Sequence, residues 1–193
     1  MHLDHFFENI QKIQPLTPEA KKALADLLEI IELKKSDFLF REGDRVHHAG
    51  FLIKGVIRVY YNKDGNEYNK TFFIPGTFPT PLTALLTSGV SQLDFQALTD
   101  CVIVRFPYRK FKELFDRHRS LERLMLRILE QIWIKKERHD IHMVTNDATT
   151  NYFIFRKEFP GLEQQIPQYH IASYLGITPI QLSRIRAKLS SKG

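Results

Sequence analysis

The sequence predicts an α+β fold with three parts: an N-terminal β-sandwich or β-roll flanked by helices, a long helix that is a candidate for dimerisation, and a C-terminal helix-turn-helix. Three observations support this prediction. Short runs rich in β-branched and aromatic residues, separated by turn formers, occupy positions 36–106. A stretch without glycine or proline covers 120–143, and two apolar helical segments surround a glycine in 168–193. We expect the three parts to span residues 1–118, 119–145 and 146–193.

The first 33 residues are expected to be helical. Thr17 can cap a helix that starts at Pro18, because proline is tolerated in the first helical turn. Four apolar residues between Leu24 and Ile31 then follow spacings of three and four, which is typical of one face of a helix.

The roll is predicted from strand-like runs, which lie at 38–40, 50–53, 56–61, 71–74 and 101–106. Asp64-Gly65 separates two of them, and both residues tolerate positive φ, so a tight hairpin is expected there. No helix long enough for a parallel crossover interrupts the runs. Their spacing therefore favours an antiparallel sandwich or a roll.

The stretch from Ser120 to Met143 predicts a helix of about 24 residues and about 36 Å, at 1.5 Å per residue. Its apolar stripe needs a partner, and one part of it can cover the roll while another forms the seam of a homodimer. An ordinary core helix is the alternative. The residues predicted for the dimer helix are Leu121, Leu124, Ile128 and Ile132.

Composition excludes several classes of protein. A single cysteine, Cys101, leaves no intrachain disulfide framework, four-cysteine iron–sulfur centre or cysteine-rich zinc site, and no cofactor is predicted. The start of the chain lacks the apolar stretch of a signal peptide, and no run of about 18 apolar residues could span a membrane. We therefore expect a cytoplasmic protein. The net charge of +6 suits a polyanionic partner but is weak evidence alone.

The strongest motif is Gln168–Leu189. Ala172 supplies the small residue that two touching helices need, and Gly176, four residues later, tolerates the left-handed turn between them. Thr178 can cap the second helix, and Pro179 fits its first turn. This arrangement predicts a helix-turn-helix.

The second helix of that motif carries side chains suited to double-stranded DNA. Glutamine can bond adenine, arginine can bond guanine, and lysine or a helix N-terminus can hold phosphates. A helical hairpin without a role in DNA binding is the alternative. The predicted DNA-binding residues are Thr178, Gln181, Ser183, Arg184, Arg186 and Lys188.

The whole chain resembles the Crp/Fnr family of bacterial transcription regulators. Phe40–Asp44 with Gly55–Val59 looks like the first roll strands of that family, 75–101 looks like its ligand cassette and closing strand, and the helix-turn-helix completes the match. The resemblance implies a cyclic-nucleotide-binding-type roll, a dimerisation helix and a winged helix-turn-helix. Phe159–Pro167 would then be a small turn or strand pair before the motif.

The cassette departs from the family at its ligand-binding positions. Thr80-Pro81 stands where cyclic-nucleotide-binding members have Gly-Glu, and Ser91-Gln92 stands at the arginine that pairs with the phosphate. No lysine or arginine lies between Pro75 and Leu98. A buried phosphate needs such a cation, so we expect no cyclic AMP or cyclic GMP but an uncharged effector or none. The predicted pocket comprises Phe78, Thr80, Leu82, Thr83, Ser91, Gln92 and Lys136.

An enzymatic function is disfavoured. No strand-like run has the His-X-His pattern that a metal-dependent roll oxygenase would need, and His139 and His142 lack nearby partner ligands, so no metal site is predicted. The sequence thus predicts a homodimeric DNA-binding regulator. A ligand-binding or protein-interaction roll with a vestigial helix-turn-helix is the alternative.

Overall fold

The computed structural model describes residues 2–190, and Ser190 only by its backbone. These residues form two compact units. The first unit comprises the chain up to Val59 together with Phe72–Trp133, and the second comprises Tyr60–Thr71 together with the chain from Ile134 onward. The division therefore differs from the three consecutive parts expected from the sequence, because residues 60–71 join the C-terminal unit.

The N-terminal segment is helical only in part. Helix α1 spans His2–Ile13 and α2 spans Pro18–Ala25, with the Thr17 hydroxyl accepting from the Ala20 amide at 3.2 Å as the predicted cap. The sequence predicted a helix at residues 29–33, and this prediction is wrong. These residues form strand β1 (Glu29–Leu33), which pairs antiparallel with residues 101–105. The apolar spacing continued across the end of α2, so the spacing alone could not show where the helix stopped.

Within residues 2–190, seven strands form two sheets. The first sheet has the order β1-β7-β3, and the second has the order β2-β6-β4-β5. The Asp64-Gly65 turn joins β4 to β5 with φ values of 54° and 84°, which confirms the predicted hairpin. The remaining strands are β2 (Phe38–Phe40), β3 (His48–Lys54), β4 (Ile57–Lys63), β5 (Asn66–Phe73), β6 (Asp94–Ala97) and β7 (Cys101–Pro107).

Strands β3 and β7 of the three-stranded sheet bury residues on both faces. Alternate residues such as Leu52 and Ile103 pack with Ile57 and Phe95 of the other sheet and fill the roll interior. The residues between them, such as Phe51, pack against helices on the outer side, which we call the helix layer. Two short helices complete this unit, α3 (Leu82–Thr87) and α4 (Tyr108–Glu113).

The long helix α5 spans Arg119–Thr145, slightly longer than predicted. Three of the residues predicted for the dimer helix, Leu121, Leu124 and Ile128, are buried in the helix layer of their own protomer. They therefore cannot form a seam with a second copy, and that prediction is corrected. The fourth residue predicted for the dimer helix, Ile132, is 40% exposed. No helix among residues 2–190 is long and apolar enough to cross a membrane.

The second unit is helical apart from the 60–71 hairpin. Asp147 caps α6 (Ala148–Glu158) by accepting from the Thr150 amide at 2.7 Å. A short 3₁₀ turn at Leu162–Gln164 follows, then α7 (Gln168–Tyr174) and α8 (Pro179–Ser190). Of the turn or strand pair expected before α7, the structure contains the turn. Residues 146–190 contain no strand, so they show no wing, and any wing after α8 would lie outside the described residues.

Candidate nucleic-acid interface and sensor cavity

The turn between α7 and α8 has the predicted geometry. Gly176 adopts φ +67°, and a Cβ atom at this position would meet its nearest neighbour, the Met143 methyl group, at an ordinary contact distance of 3.8 Å. Backbone conformation, rather than crowding, therefore requires glycine here. Ala172 is buried where the helices meet, and its carbonyl accepts from the Ile177 amide at 3.0 Å.

A reciprocal capping box starts α8. The Thr178 hydroxyl accepts from the Gln181 amide at 3.2 Å, and the Gln181 side-chain oxygen accepts from the Thr178 amide at 2.9 Å. The same oxygen lies 3.1 Å from the Thr178 hydroxyl. Such a box satisfies two backbone donors at the helix start. The side-chain oxygen of Gln181 is engaged in this box, and only its NH₂ group remains for other partners. The bond to adenine predicted from the sequence would therefore have to use the NH₂ group alone.

One face of α8 is buried and the opposite face is exposed. Leu182 packs inward, with Ile185 and Leu189 partly buried on the same side. At 100° per residue the opposite face carries Ile180, Ser183, Arg184 and Ala187, all exposed. Among the other predicted DNA-binding residues, Gln181 and Lys188 lie on one flank of this face and Arg186 lies on the other.

Sequence reasoning missed Ile180. This side chain is 65% exposed, although isoleucine is among the residues most often buried. It lies four residues before Arg184 and shares its helix face. The three-four spacing of Leu182, Ile185 and Leu189 could have revealed that Ile180 falls outside the packing positions.

Helix α7 is bonded to the 60–71 hairpin within the second unit. The Asn69 side-chain amide donates to the His170 carbonyl at 3.1 Å and lies 3.3 Å from ring atom Nδ1 of His170. The Asn69 backbone amide donates to the Ser173 hydroxyl at 3.0 Å, and that hydroxyl donates to the Glu67 carbonyl at 3.1 Å. The hairpin therefore supports the first helix of the helix-turn-helix.

An aromatic cluster supports α7 from the other elements of the second unit. Tyr174 packs on Phe155 and Phe159, with ring centres 5.7 and 5.8 Å apart. Its hydroxyl lies 3.2 Å from Nδ1 of His139. Burial raises the pKa of the Tyr174 phenol, with the Glu158 carboxylate adding to the effect, whereas burial lowers the pKa of His139.

The seven predicted pocket residues do not form one pocket. Phe78, Thr80 and Leu82 line an apolar cavity in the first unit. Thr83 and Gln92 are exposed on the surface instead.

The two remaining pocket residues have other partners. The Ser91 hydroxyl is buried and donates to the Leu93 carbonyl at 2.6 Å, so it closes its own loop. Lys136 is exposed and forms an ion pair with Asp140 on the next turn of α5. The predicted pocket is therefore corrected to three residues.

Within residues 2–190 no group of three histidine, cysteine, aspartate or glutamate side chains could hold a metal ion. Cys101 is a buried free thiol, and burial raises its pKa, so the thiolate form is disfavoured at neutral pH.

Comparison with known proteins agrees with this architecture. The cyclic nucleotide-binding domain family matches residues 30–118. The chain is 23% identical over 171 residues to the neuropathy target esterase sws of Drosophila grimshawi, covering 85% of this chain but only 11% of that protein. It is 23% identical to the transcriptional activator protein FnrA of Stutzerimonas stutzeri, covering 83% of this chain and 70% of FnrA.

A solved structure matches the chain over most of its length. FixK2 from Bradyrhizobium japonicum superposes with a TM-score of 0.73 at 16% identity, covering 86% of each chain. The chain therefore shares the fold of FixK2, and its residues 30–118 match the cyclic nucleotide-binding domain family.

Proposed function

We propose that this protein is a homodimeric, sequence-specific DNA-binding transcription regulator that does not respond to cyclic nucleotides. The exposed face of α8 carries the proposal. In a helix-turn-helix the second helix enters the major groove, and its exposed side chains near the N-terminus reach the base edges. Ile180, Ser183 and Arg184 occupy that position here, behind a capped helix start.

The chemistry of this face predicts a division of roles. Arg184 can donate two hydrogen bonds to guanine, and Ile180 beside it offers an apolar contact for a thymine methyl group. Gln181 retains its NH₂ donors for a base or phosphate oxygen. Lys188, further along the helix, suits the phosphate backbone, whose contacts position a protein without reading sequence.

A second copy is expected to cover the outer side of α5. Seven large apolar side chains are exposed along this helix, and five of them lie opposite its buried face. Within the first unit Leu126 and Trp133 lie seven residues apart, and within the second Ile134 and Ile141 do the same, which is the repeat of a coiled-coil seam. The five side chains are Leu126, Trp133, Ile134, Ile141 and Val144.

The cassette segment 75–98 offers no cation to pair with a cyclic phosphate. The roll interior is filled by apolar side chains from both sheets, and the hydroxyl of Ser91 is bonded within its own loop. An unpaired anion buried there would be very costly. Any effector of this regulator should therefore be uncharged.

The test of DNA binding is selection from a random duplex library, followed by anisotropy titrations of variants on the selected site. Arg184→Ala should weaken the free energy of DNA binding by about 1–3 kcal/mol and relax the sequence preference at one base pair. Lys188→Ala should weaken binding to all sequences alike. Arg117→Ala removes the same charge as Arg184→Ala from an exposed position in the first unit and should leave DNA binding unchanged.

The selected sequences also test symmetry. A dimer should return two inverted half-sites with centres about 34–36 Å apart, one turn of duplex, or a multiple of that distance. If the selection enriches no sequence, and Arg184→Ala binds DNA as the unchanged protein does, the helix-turn-helix is vestigial and the protein is a ligand-binding or interaction module.

A further inference from the structure

The helix layer of the first unit contains a cavity outside the roll interior. From the three-stranded sheet it is lined by Ala49 and Phe106, on the side that faces the helices. Residues of α1, α2, α4 and α5 close it, and the segment Phe78–Leu85 completes its wall. Among the described residues, none that lines it belongs to the four-stranded sheet. The cavity is therefore separate from the space between the two sheets.

From this cavity we infer a binding site for a small, uncharged, monocyclic aromatic molecule such as toluene or phenol. The cavity leaves about 50 Å³ for the centre of a water-sized sphere. One water needs roughly 10–15 Å³ by the same measure, so the space exceeds a single trapped water several-fold. An apolar cavity of roughly 150 Å³ stays dry and accepts benzene, so a ring bound here must also occupy the open end of the cavity at Ile132.

The lining favours an aromatic guest. Phe6, Phe78, Phe106, Tyr108 and Phe111 all contribute to the wall. Aromatic rings prefer edge-to-face or offset contacts, and the lining rings already pack this way: the Phe106 and Phe111 centres lie 5.1 Å apart at 62°. A flat ring can extend this arrangement, whereas a branched aliphatic guest offers no such edge.

The lining also excludes a charged guest. Within residues 2–190, Thr80 and Tyr108 are its only polar side chains, and no acidic or basic side chain lines it. Burial raises the pKa of the Tyr108 phenol, so that group stays neutral. The Thr80 hydroxyl accepts from the Gly50 amide at 3.0 Å and keeps its own proton to donate. A guest with one hydroxyl, such as phenol, therefore finds a hydrogen-bond partner, whereas a carboxylate finds no counter-charge.

Helix α5 would respond to an occupant. Leu124, Met125, Ile128 and Ile132 of this helix line the cavity, and Ile132 is 40% exposed, which places it at the solvent end. A bound ring thus adds packing to the helix that we propose as the dimer seam. An effect of the guest on DNA binding rests on the proposed function, whereas binding of the guest does not.

The test uses the full chain without DNA. Toluene and phenol are titrated by calorimetry and thermal denaturation, with benzoate as the charged analogue of similar size. Toluene and phenol should bind and raise the melting temperature, and benzoate should do neither. Ile132→Trp fills the cavity mouth with a larger side chain and should weaken binding by about tenfold or more.

Two further variants serve as a control and as a second test of the cavity. Leu86→Trp adds an equal ring at an exposed position of α3 outside the cavity, and should leave toluene affinity unchanged. Ala49→Leu fills the cavity from the sheet side and should also reduce binding. The inference is overturned if toluene does not bind up to its solubility limit, if benzoate binds equally well, or if both lining variants retain full affinity. Toluene binding is measured without DNA, so its failure would be independent of the proposed regulator function. Anisotropy on DNA with and without toluene then tests separately whether the guest changes DNA binding.

Discussion

Asn69 and His170 lie 101 residues apart in sequence, yet the Asn69 amide donates to the His170 carbonyl at 3.1 Å in a buried contact. The bond joins strand β5 to helix α7 within the second unit. Asn69→Ala should lower the free energy of unfolding of the second unit by about 1 kcal/mol, because it removes a buried hydrogen bond. Urea denaturation followed by far-ultraviolet circular dichroism measures the change. Asn66→Ala, exposed at the hairpin tip, serves as the control and should be nearly neutral.

His139 should make the second unit sensitive to acid. Burial holds its pKa below the ordinary value of 6.5, although Glu158 and Asp140 oppose the shift. The unfolded chain therefore takes up the proton first as pH falls, and stability present above about pH 6.5 is lost as pH falls through the folded-state pKa. The urea midpoint should decline from about pH 7.5 to about pH 5.5, and His139→Gln should reduce that slope. An equal slope in His139→Gln and in the exposed His5→Gln control would contradict this.

The two sides of α5 should respond differently to a charge. Leu126→Asp lies on the exposed side and should produce folded monomers, because it places charges at the proposed seam. Ile128→Asp faces the helix layer and should unfold the first unit. Light scattering at micromolar concentration reports the mass, and circular dichroism reports the fold. A monomeric mass for the unchanged protein would refute the seam.

Cyclic nucleotides should not bind the roll. Calorimetric titration with cyclic AMP or cyclic GMP should show no saturable heat at micromolar concentrations, because the cassette segment 75–98 has no cation to pair with a phosphate. Ser91→Ala should instead lower stability, since it removes the bond to the Leu93 carbonyl. Micromolar affinity that disappears in Ser91→Ala would show that the cassette does hold the nucleotide.

Ile180 should distinguish thymine from uracil. Replacing the contacted thymine by uracil removes one methyl group, which is worth about 0.8 kcal/mol or roughly fourfold in affinity. The unchanged protein should show this loss at one position of the selected site, and Ile180→Ala should not. Leu86→Ala, an exposed apolar residue of the first unit, should behave like the unchanged protein. Equal sensitivity in Ile180→Ala would exclude the methyl contact.

Local rules of chain conformation predicted several features well. The Thr17 cap, the Asp64-Gly65 hairpin and the Gly176 turn each depend on a few neighbouring residues, and all three are confirmed. The resemblance of the chain to the Crp/Fnr family added the order of the larger parts. Together they predicted the roll, the long helix and the helix-turn-helix from the sequence alone.

Features that depend on distant partners were mispredicted. Glu29–Leu33 is strand because residues 101–105 pair with it, about 70 positions away. Leu121, Leu124 and Ile128 share an apolar spacing that fits a dimer seam and a protomer core equally, and only the packing of α1 and α4 against them decides. Hydrophobic periodicity indicates that a face is covered, but it does not identify what covers it.

The capping box of α8 limits which residues of the proposed DNA-binding face can be varied. Gln181 both faces outward and closes the helix start through Thr178, so randomising it would remove a cap worth about 1 kcal/mol along with any base contact. Ile180, Ser183 and Arg184 carry no such structural duty among the contacts described for α8. A library confined to these three positions would therefore alter operator preference while most of its clones remained folded.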